Sequence, residues 1–228
     1  MQRFTKAIAA IMLTVAVTVG CKKDNADGDG IYNGHTYVDL GLPSGTLWAA
    51  CNVGADSPED YGSYFAWGET QPKTVYSWDT YKWCNGGSHQ LTKYCNDSDC
   101  GYNGFTDNLT MLQLEDDAAT ANWGSGWCMP TKEQWAELQD NTTSTWTTQN
   151  GVNGMRFAAN NGQSIFLPAA GCWVSDLYGV GGDGYYWSSS LLNYHAFDSW
   201  DFIFFSNDCD LSSHYRSGGF SVRPVREK

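Results

Sequence analysis

The chain has 228 residues, 13 of them basic and 25 acidic, for a net charge of −12, and it carries 11 Trp, 13 Tyr and 10 Phe. A surface so acidic repels phosphate backbones and anionic head groups, which excludes nucleic acid as a partner and leaves charge unable to hold the chain on a membrane. About 200 residues remain once the first twenty are set aside, enough for one domain with a sizeable aromatic core.

Residues 1–20 have the three parts of a secretory signal: Arg3 and Lys6, the apolar run Ala7 to Val19, and small Gly20 ahead of Cys21. The apolar run falls short of the ~20 residues that a membrane helix needs, so it is expected to be cleaved rather than to span. Thr18-Val19-Gly20-Cys21 resembles the lipobox of bacterial lipoproteins. That resemblance implies lipidation at Cys21 and a protein held on the outer membrane, facing outward, by its acyl chains. Arg3 and Lys6 leave with the leader, so eleven basic residues face 25 acidic ones and the mature net charge is about −14. After Cys21, the run Lys22 to Gly30 is polar and holds no core former, and residues 21–34 read as a flexible tether ahead of a domain over 35–228. The tether's acidic stretch is similar to the signal that sends some Bacteroidetes lipoproteins to the cell surface. Its Asp/Asn/Gly spacing gives no calcium loop, because the register from Asn25 puts Thr36 where the bidentate Glu belongs.

From Thr36 onward, short apolar runs are broken every few residues by Gly, Asn, Asp or Ser, the texture of a strand-based, loop-rich domain. A first helix is expected around Leu114, Ala118 and Ala121, with Glu115, Asp116 and Asp117 at its positive end. A second is expected after Pro130, opened by a capping box of Thr131 and Gln134 and burying Trp135 and Leu138. An Asn/Thr-rich loop should follow, then strands at 155–158 and 164–168, and a flexible Gly-rich connection at 179–184 that lacks the ending of a phosphate loop. Beside Cys21 there are seven cysteines, an odd number. Cys84, Cys95 and Cys100 lie where a disulfide could staple a loop, whereas Cys51 and Cys172 read as buried thiols. No Cys-x-x-Cys pair occurs, so no metal and no cofactor is called for.

Six blocks stand together: YVDLGLPSGTLWAACNVGA at 37–55, YFAWGE at 64–69, GWCMPTKEQWAEL at 126–138, FLPAAG at 166–171, YWSSS at 186–190 and SVRPV at 221–225. In this order, over nearly the whole mature chain, they resemble the Fibrobacter succinogenes major paralogous domain family, common in surface lipoproteins of gut Bacteroidetes. Cys128 stands where that family usually has Arg. The resemblance implies an α+β, C-type-lectin-like fold of the formylglycine-generating-enzyme branch, shared with variable proteins of diversity-generating retroelements. Such domains set two helices against small antiparallel sheets and build their binding face from the C-terminal segment.

Between 191 and 220 the composition shifts toward Tyr, Ser, Asn, Asp and His, which combine rigid aromatic area with adaptable hydrogen bonding. The candidate ligand-binding residues are Tyr194, His195, Asp201, Ile203, Phe205, Asn207, Asp208, Asp210, Ser212, His214, Tyr215, Ser217 and Phe220. Alternation predicts a strand that buries Trp200, Phe202 and Phe204 and exposes Asp201, Ile203 and Phe205. Most of these residue types can be reached from an Asn codon by changing its adenines, as retroelement diversification does. The ligand is expected to be a protein or a glycan.

Two other classes compete. A structural surface protein would use its aromatics for the core alone, and would be recognised by burial of Phe205, Tyr215 and Phe220. A formylglycine-generating-type oxidase would need a C-terminal pair of active cysteines, and Cys209 is alone there. No Gly-x-Ser-x-Gly elbow is present, and His195 or His214 near Asp210 gives a dyad by spacing only, so no catalytic residue is assigned.

Overall fold

The computed structural model describes residues 30–228. The expected signal peptide, the lipidated Cys21 and most of the tether lie outside the described residues. In order, the elements are β1 Gly30–Tyr32, β2 His35–Val38, β3 Leu47–Ala49, β4 Tyr64–Phe65, α1 Ala118–Trp123, α2 Lys132–Asn141, β5 Thr142–Gln149, β6 Val152–Ala159 and β7 Ser164–Pro168. They continue with β8 Cys172–Val174, β9 Asp176–Tyr178, β10 Gly184–Leu191, β11 Asp198–Phe205, β12 Asp208–Tyr215, β13 Phe220–Ser221 and β14 Val225–Arg226. Among the described residues the architecture is α+β, with two α-helices and several small antiparallel sheets. Gly30–Tyr32, within the segment expected to be a tether, pairs with β2.

The central sheet has the order β12-β11-β10-β13-β4. Successive side chains of a strand face opposite sides, and β10 has a core on each. Tyr186 belongs to the cluster of Trp48, Trp135, Leu138, Phe157, Phe202 and Phe204, while Trp187 belongs to that of Phe65, Trp67, Trp127, Phe220 and Val222. A second sheet, β1-β2-β3-β14, joins the two ends of the domain. The β5-β6-β7 meander and the β8-β9 hairpin complete the set.

The six sequence blocks hydrogen-bond to one another. Trp187 Nε1 donates to the Phe65 carbonyl and Trp67 Nε1 to that of Ser188, each at 2.8 Å. The Ser189 amide donates to the Pro130 carbonyl at 2.8 Å. Fully buried Arg223 donates through Nε to Asn52 Oδ1 at 2.9 Å, and through its terminal nitrogens to the carbonyls of Ala49, Ala50 and Phe166. Cys128 exchanges backbone hydrogen bonds with Val225 at 3.0 and 2.9 Å, and burial pushes its thiol up to about 12.

α2 has the capping box that its sequence announced: Thr131 Oγ1 accepts from the Gln134 amide and Gln134 Oε1 from the Thr131 amide, with Trp135 and Leu138 buried. α1 differs from expectation. Leu114–Asp116 forms a separate 3-10 turn, and Leu114 and Ala121 are exposed. The helix starts only after Asp117, whose carboxylate accepts from the Thr120 amide at 2.9 Å and reaches across to the Met129 amide at 2.7 Å. Asp117→Ala removes the cap and leaves a buried amide unpaired, which is expected to cost about 2–3 kcal/mol in a denaturant titration. A loss below about 0.5 kcal/mol would show that the cap does not hold the helix.

Two further expectations are corrected. The Asn/Thr run after α2 is strand β5, because β-branched Thr suits a pleated surface paired along its whole length with β6. The stretch 179–184 is a hydrogen-bonded turn, in which the Gly182 and Asp183 amides donate to the Gly179 carbonyl and the Gly181 amide to that of Ala169. β7 spans the expected residues, and β6 extends the expected strand at both ends.

All seven described cysteines are free thiols. Cys84, Cys95 and Cys100 pack together with Leu91 and Ala196 as an apolar cluster rather than as a disulfide staple. Cys172 is buried as expected, whereas Cys51 is half-buried. Among the described residues no helix is long and apolar enough to cross a membrane.

Candidate functional site

The candidate residues sit on and around the β11–β12 hairpin, and its register divides them. Asp198 lies opposite Tyr215 at one end and Phe205 opposite Asp208 at the other, seven residue steps away, or about 23 Å. The sequence places one surface here, and the structure separates it into two.

At the turn end, Phe205, Asn207, Asp208 and Asp210 are exposed beside Gln139, Ser144 and Trp146. Asp208 and Asp210 are engaged locally: their carboxylates accept from the amides of Cys209 and Leu211 at 2.9 and 2.8 Å. Gln139 Nε2 donates to the Cys209 carbonyl at 2.7 Å. The next pair beyond the hairpin is hydrogen-bonded, the Arg216 amide donating to the Phe197 carbonyl. Alternation then turns the amides of Cys209 and Leu211 outward on the sheet edge. The two aspartates therefore cover backbone groups that an edge strand would otherwise present to another chain.

At the other end, aromatic rings line up across the surface. Trp78 lies 5.9 Å from Tyr215, Tyr215 5.9 Å from Phe197, Phe197 5.3 Å from His195 in a stacked arrangement, and His195 5.2 Å from Tyr194. Tyr194 is 70% and Tyr215 56% exposed. The loop carrying Tyr194–Phe197 is held by Asn96 Nδ2, which donates to the Asn193 carbonyl at 2.7 Å, and by Arg216, which donates to that of Ala196 at 2.9 Å. His195 lies 3.7 Å from Asp198.

Beside this ridge opens a cleft of about 250 Å³, between Tyr76–Trp78, the turn of the β8-β9 hairpin at Val174 and Ser175, and the segment His214–Phe220. His214 stands in its wall, bracketed edge-on by the rings of Tyr185 at 5.5 Å and Phe220 at 5.4 Å. Its Nδ1 meets both carboxylate oxygens of Asp201, at 3.0 and 3.1 Å. Burial pulls the imidazole down, but the hydrogen bond to Asp201 and the charges of Asp201 and Asp198 outweigh it, so its pKa stands above the usual value. Burial pushes Asp201 up as well. The pair thus keeps one proton to higher pH than two isolated groups would.

Several expectations change here. Asp201 is fully buried instead of exposed, because both faces of β11 are covered: Phe202 stacks on Trp135 at 4.8 Å, and Asp201 lies in register with Trp187 on the other side. Trp200 is half-buried under the Lys132 ammonium, and Ile203 and Ser212 are half-buried too. Phe220 is 1% exposed and stacks on Trp187, so it is a core residue whose edge reaches the cleft. Ser217 is buried at the cleft wall. The partner of His214 is Asp201, and that of His195 is Asp198; neither is Asp210. Tyr76, Trp78 and Val174 line the cleft from outside the candidate segment. The density of aromatics in Tyr76-Ser77-Trp78 was the available signal, and nothing local ties it to a segment more than a hundred residues downstream.

Comparison of the chain with family models, with curated proteins and with solved structures finds no match to any of them.

Proposed function

We propose that the chain is a lipid-anchored, surface-exposed recognition module that takes a protein or glycan ligand at the ridge end of the β11–β12 hairpin. In this reading the fold is C-type-lectin-like, of the formylglycine-generating-enzyme branch, and Cys21 carries the anchor that sets the domain on the outer membrane. The observation that carries the proposal is the run of rings from Trp78 through Tyr215, Phe197 and His195 to Tyr194, exposed at its far end and bordered by a cleft. Exposed aromatics on a braced loop supply large contact area at low entropic cost, which is how recognition surfaces gain most of their affinity. The acidic surface supports a neutral or cationic partner over nucleic acid or bare anionic lipid. If the segment 191–220 is diversified by a retroelement, the exposed positions Asn193, Tyr194, His195 and Tyr215 are the ones where variation would alter binding without unfolding the core. A template repeat beside a reverse transcriptase gene, differing at adenines only, is the expected genomic mark.

Catalysis forms no part of the proposal. A His–Asp pair drives nucleophilic chemistry when a hydroxyl or thiol is within hydrogen-bonding reach of the imidazole, and among the described residues none bonds to His214.

The test is to present the full chain to arrays of glycans and of host and bacterial surface proteins, with two double variants alongside. Tyr194→Ala with Tyr215→Ala strips the ridge, while Phe205→Ala with Asn207→Ala alters the distant turn. The first should weaken binding by about 30-fold or more, and the second should leave it within about twofold. Loss confined to the turn variant would move the site to the other end, and no binding by the parent chain would favour a structural surface protein.

A further inference from the structure

The cleft beside the ridge has a chemistry more specific than that of the ridge. At about 250 Å³ it falls just below the roughly 300–1,000 Å³ of sites for drug-sized ligands, so it takes one ring and not an oligomer. Trp78 and Tyr215 wall it and Phe220 reaches its floor, which gives apolar faces for a flat, partly apolar body. Polar groups stand among those faces. Ser175, Ser217 and His214 line the cleft, His214 Nδ1 being taken by Asp201 at 3.0 Å, and Ser217 is only 6% exposed. Buried hydrogen-bonding groups need partners, so an aliphatic side chain or a lipid tail filling this space would leave them unsatisfied.

Charge narrows the choice further. No Lys or Arg lines the cleft, and Asp79 and Asp176 adjoin its lining segments in the chain, so an anionic ligand would meet no counter-charge. His214 is already matched by Asp201 at 3.0 and 3.1 Å, so the pair offers no free positive charge to an anion. An uncharged ring with an apolar face and a rim of hydroxyls matches both demands. We propose, resting on the recognition reading above, that the cleft binds a single neutral pyranose, the terminal sugar of a glycan whose remainder runs along the ridge. The sugar's C–H face stacks on Tyr215 or Trp78, while its hydroxyls bond to His214 Nε2 and the serine hydroxyls.

The test uses the full chain with methyl glycosides of glucose, galactose, mannose, fucose and N-acetylglucosamine as neutral probes. The methyl glycosides of glucuronic acid and N-acetylneuraminic acid serve as anionic probes, and N-acetyl-leucinamide stands for an apolar peptide side chain. Binding is read by saturation-transfer NMR and by tryptophan fluorescence. Tyr215→Ala removes one wall. Val174→Trp, at a site 57% exposed on a short hairpin, fills the opening without touching the core. At least one neutral glycoside should bind with Kd about 1–10 mM, weakened about tenfold in both variants and exceeding the anionic probes by about fivefold or more. No neutral binding up to about 100 mM, binding unchanged in both variants, or preference for N-acetyl-leucinamide would each overturn the sugar assignment. If array binding remained sensitive to Tyr194→Ala in those cases, the recognition reading would stand and only the pyranose would fall.

Discussion

Arg216→Met is expected to lower the stability of the domain by about 3–5 kcal/mol and to loosen the loop that carries Tyr194–Phe197. Arg216 has no exposed surface. Its Nε donates to Tyr81 Oη at 3.0 Å, Nη1 to the carbonyls of Tyr94 and Ala196 at 2.8 and 2.9 Å, and Nη2 to that of Lys93 at 3.0 Å. The guanidinium carbon also sits 5.1 Å from the centre of the Trp67 ring and 5.3 Å from that of Tyr81. The loop around Tyr81 to Tyr94 and the distant segment at Ala196 thus depend on one planar fork, which Lys, with a single ammonium, cannot reproduce. Replacing a buried ion pair by hydrophobic residues is often neutral, because both charges leave together. Here the acceptors are main-chain carbonyls and a phenol that remain after the substitution, so the desolvation penalty stays. Urea denaturation of parent and variant measures the cost, and near-ultraviolet circular dichroism reports the packing of the surrounding Trp and Tyr rings. A change below about 1 kcal/mol would mean that these carbonyls find other donors or water, and that the fork does not brace the ridge.

How far the sequence discloses this arrangement depends on the range of the interactions involved. α2 was legible because a capping box, a preceding Pro and two core positions are all local, and β7 because turn residues bound a short apolar run. The face through Leu114, Ala118 and Ala121 was misleading: Asp117 serves as N-cap inside that stretch, which interrupts the helical period with a 3-10 turn. The Thr-rich β5 is polar enough to read as a loop, and only the β-branching of its threonines marks it as a strand. Alternation in β11 correctly separates Phe202 and Phe204 from Phe205, but a period of two says nothing about what covers the second face, and Asp201 is buried there. Exposure of Tyr194, Tyr215 and Phe205 agrees with the composition of their segment, whereas the division of the site into two ends follows from a register that composition does not encode. The upstream half of the cleft, Tyr76–Trp78, joins it through tertiary packing alone.

His214→Ala is expected to destabilise the domain in a pH-dependent way, by about 2–3 kcal/mol near neutral pH and by little below about pH 4. The carboxylate of Asp201 is fully buried, and His214 is its side-chain hydrogen-bond partner among the described residues. Without the ring it faces Trp187 and Tyr185 as an uncompensated charge. The expected cost lies below that of a fully enclosed pair because the His214 side chain is 38% exposed and water can enter in its place. The sign follows from both groups. In the parent, burial pulls the pKa of His214 down but Asp201 raises it above 6.5, so below that pH the stabilisation is complete for as long as Asp201 stays ionised, and it is lost as pH rises through the folded value. In the variant, Asp201 has a folded pKa above the unfolded 3.8, so the protein is most stable with the acid protonated and loses stability as pH rises from 3.8 through the folded value. The gap between parent and variant therefore opens from acid toward neutral pH and narrows again once His214 deprotonates, keeping the part due to the neutral Nδ1–H hydrogen bond. Of the other titratable groups nearby, burial raises Asp198 and holds Tyr185 and Cys172 up at about 12, so only Asp198 adds to the effect in this window. Urea denaturation at pH 4, 6 and 8 would follow the gap. Adding Asp201→Asn to the variant should recover most of the loss at pH 6 and none at pH 4, since a buried amide carries no charge to desolvate. An equal loss at all three pH values would show that His214 contributes packing between Tyr185 and Phe220 and not charge compensation.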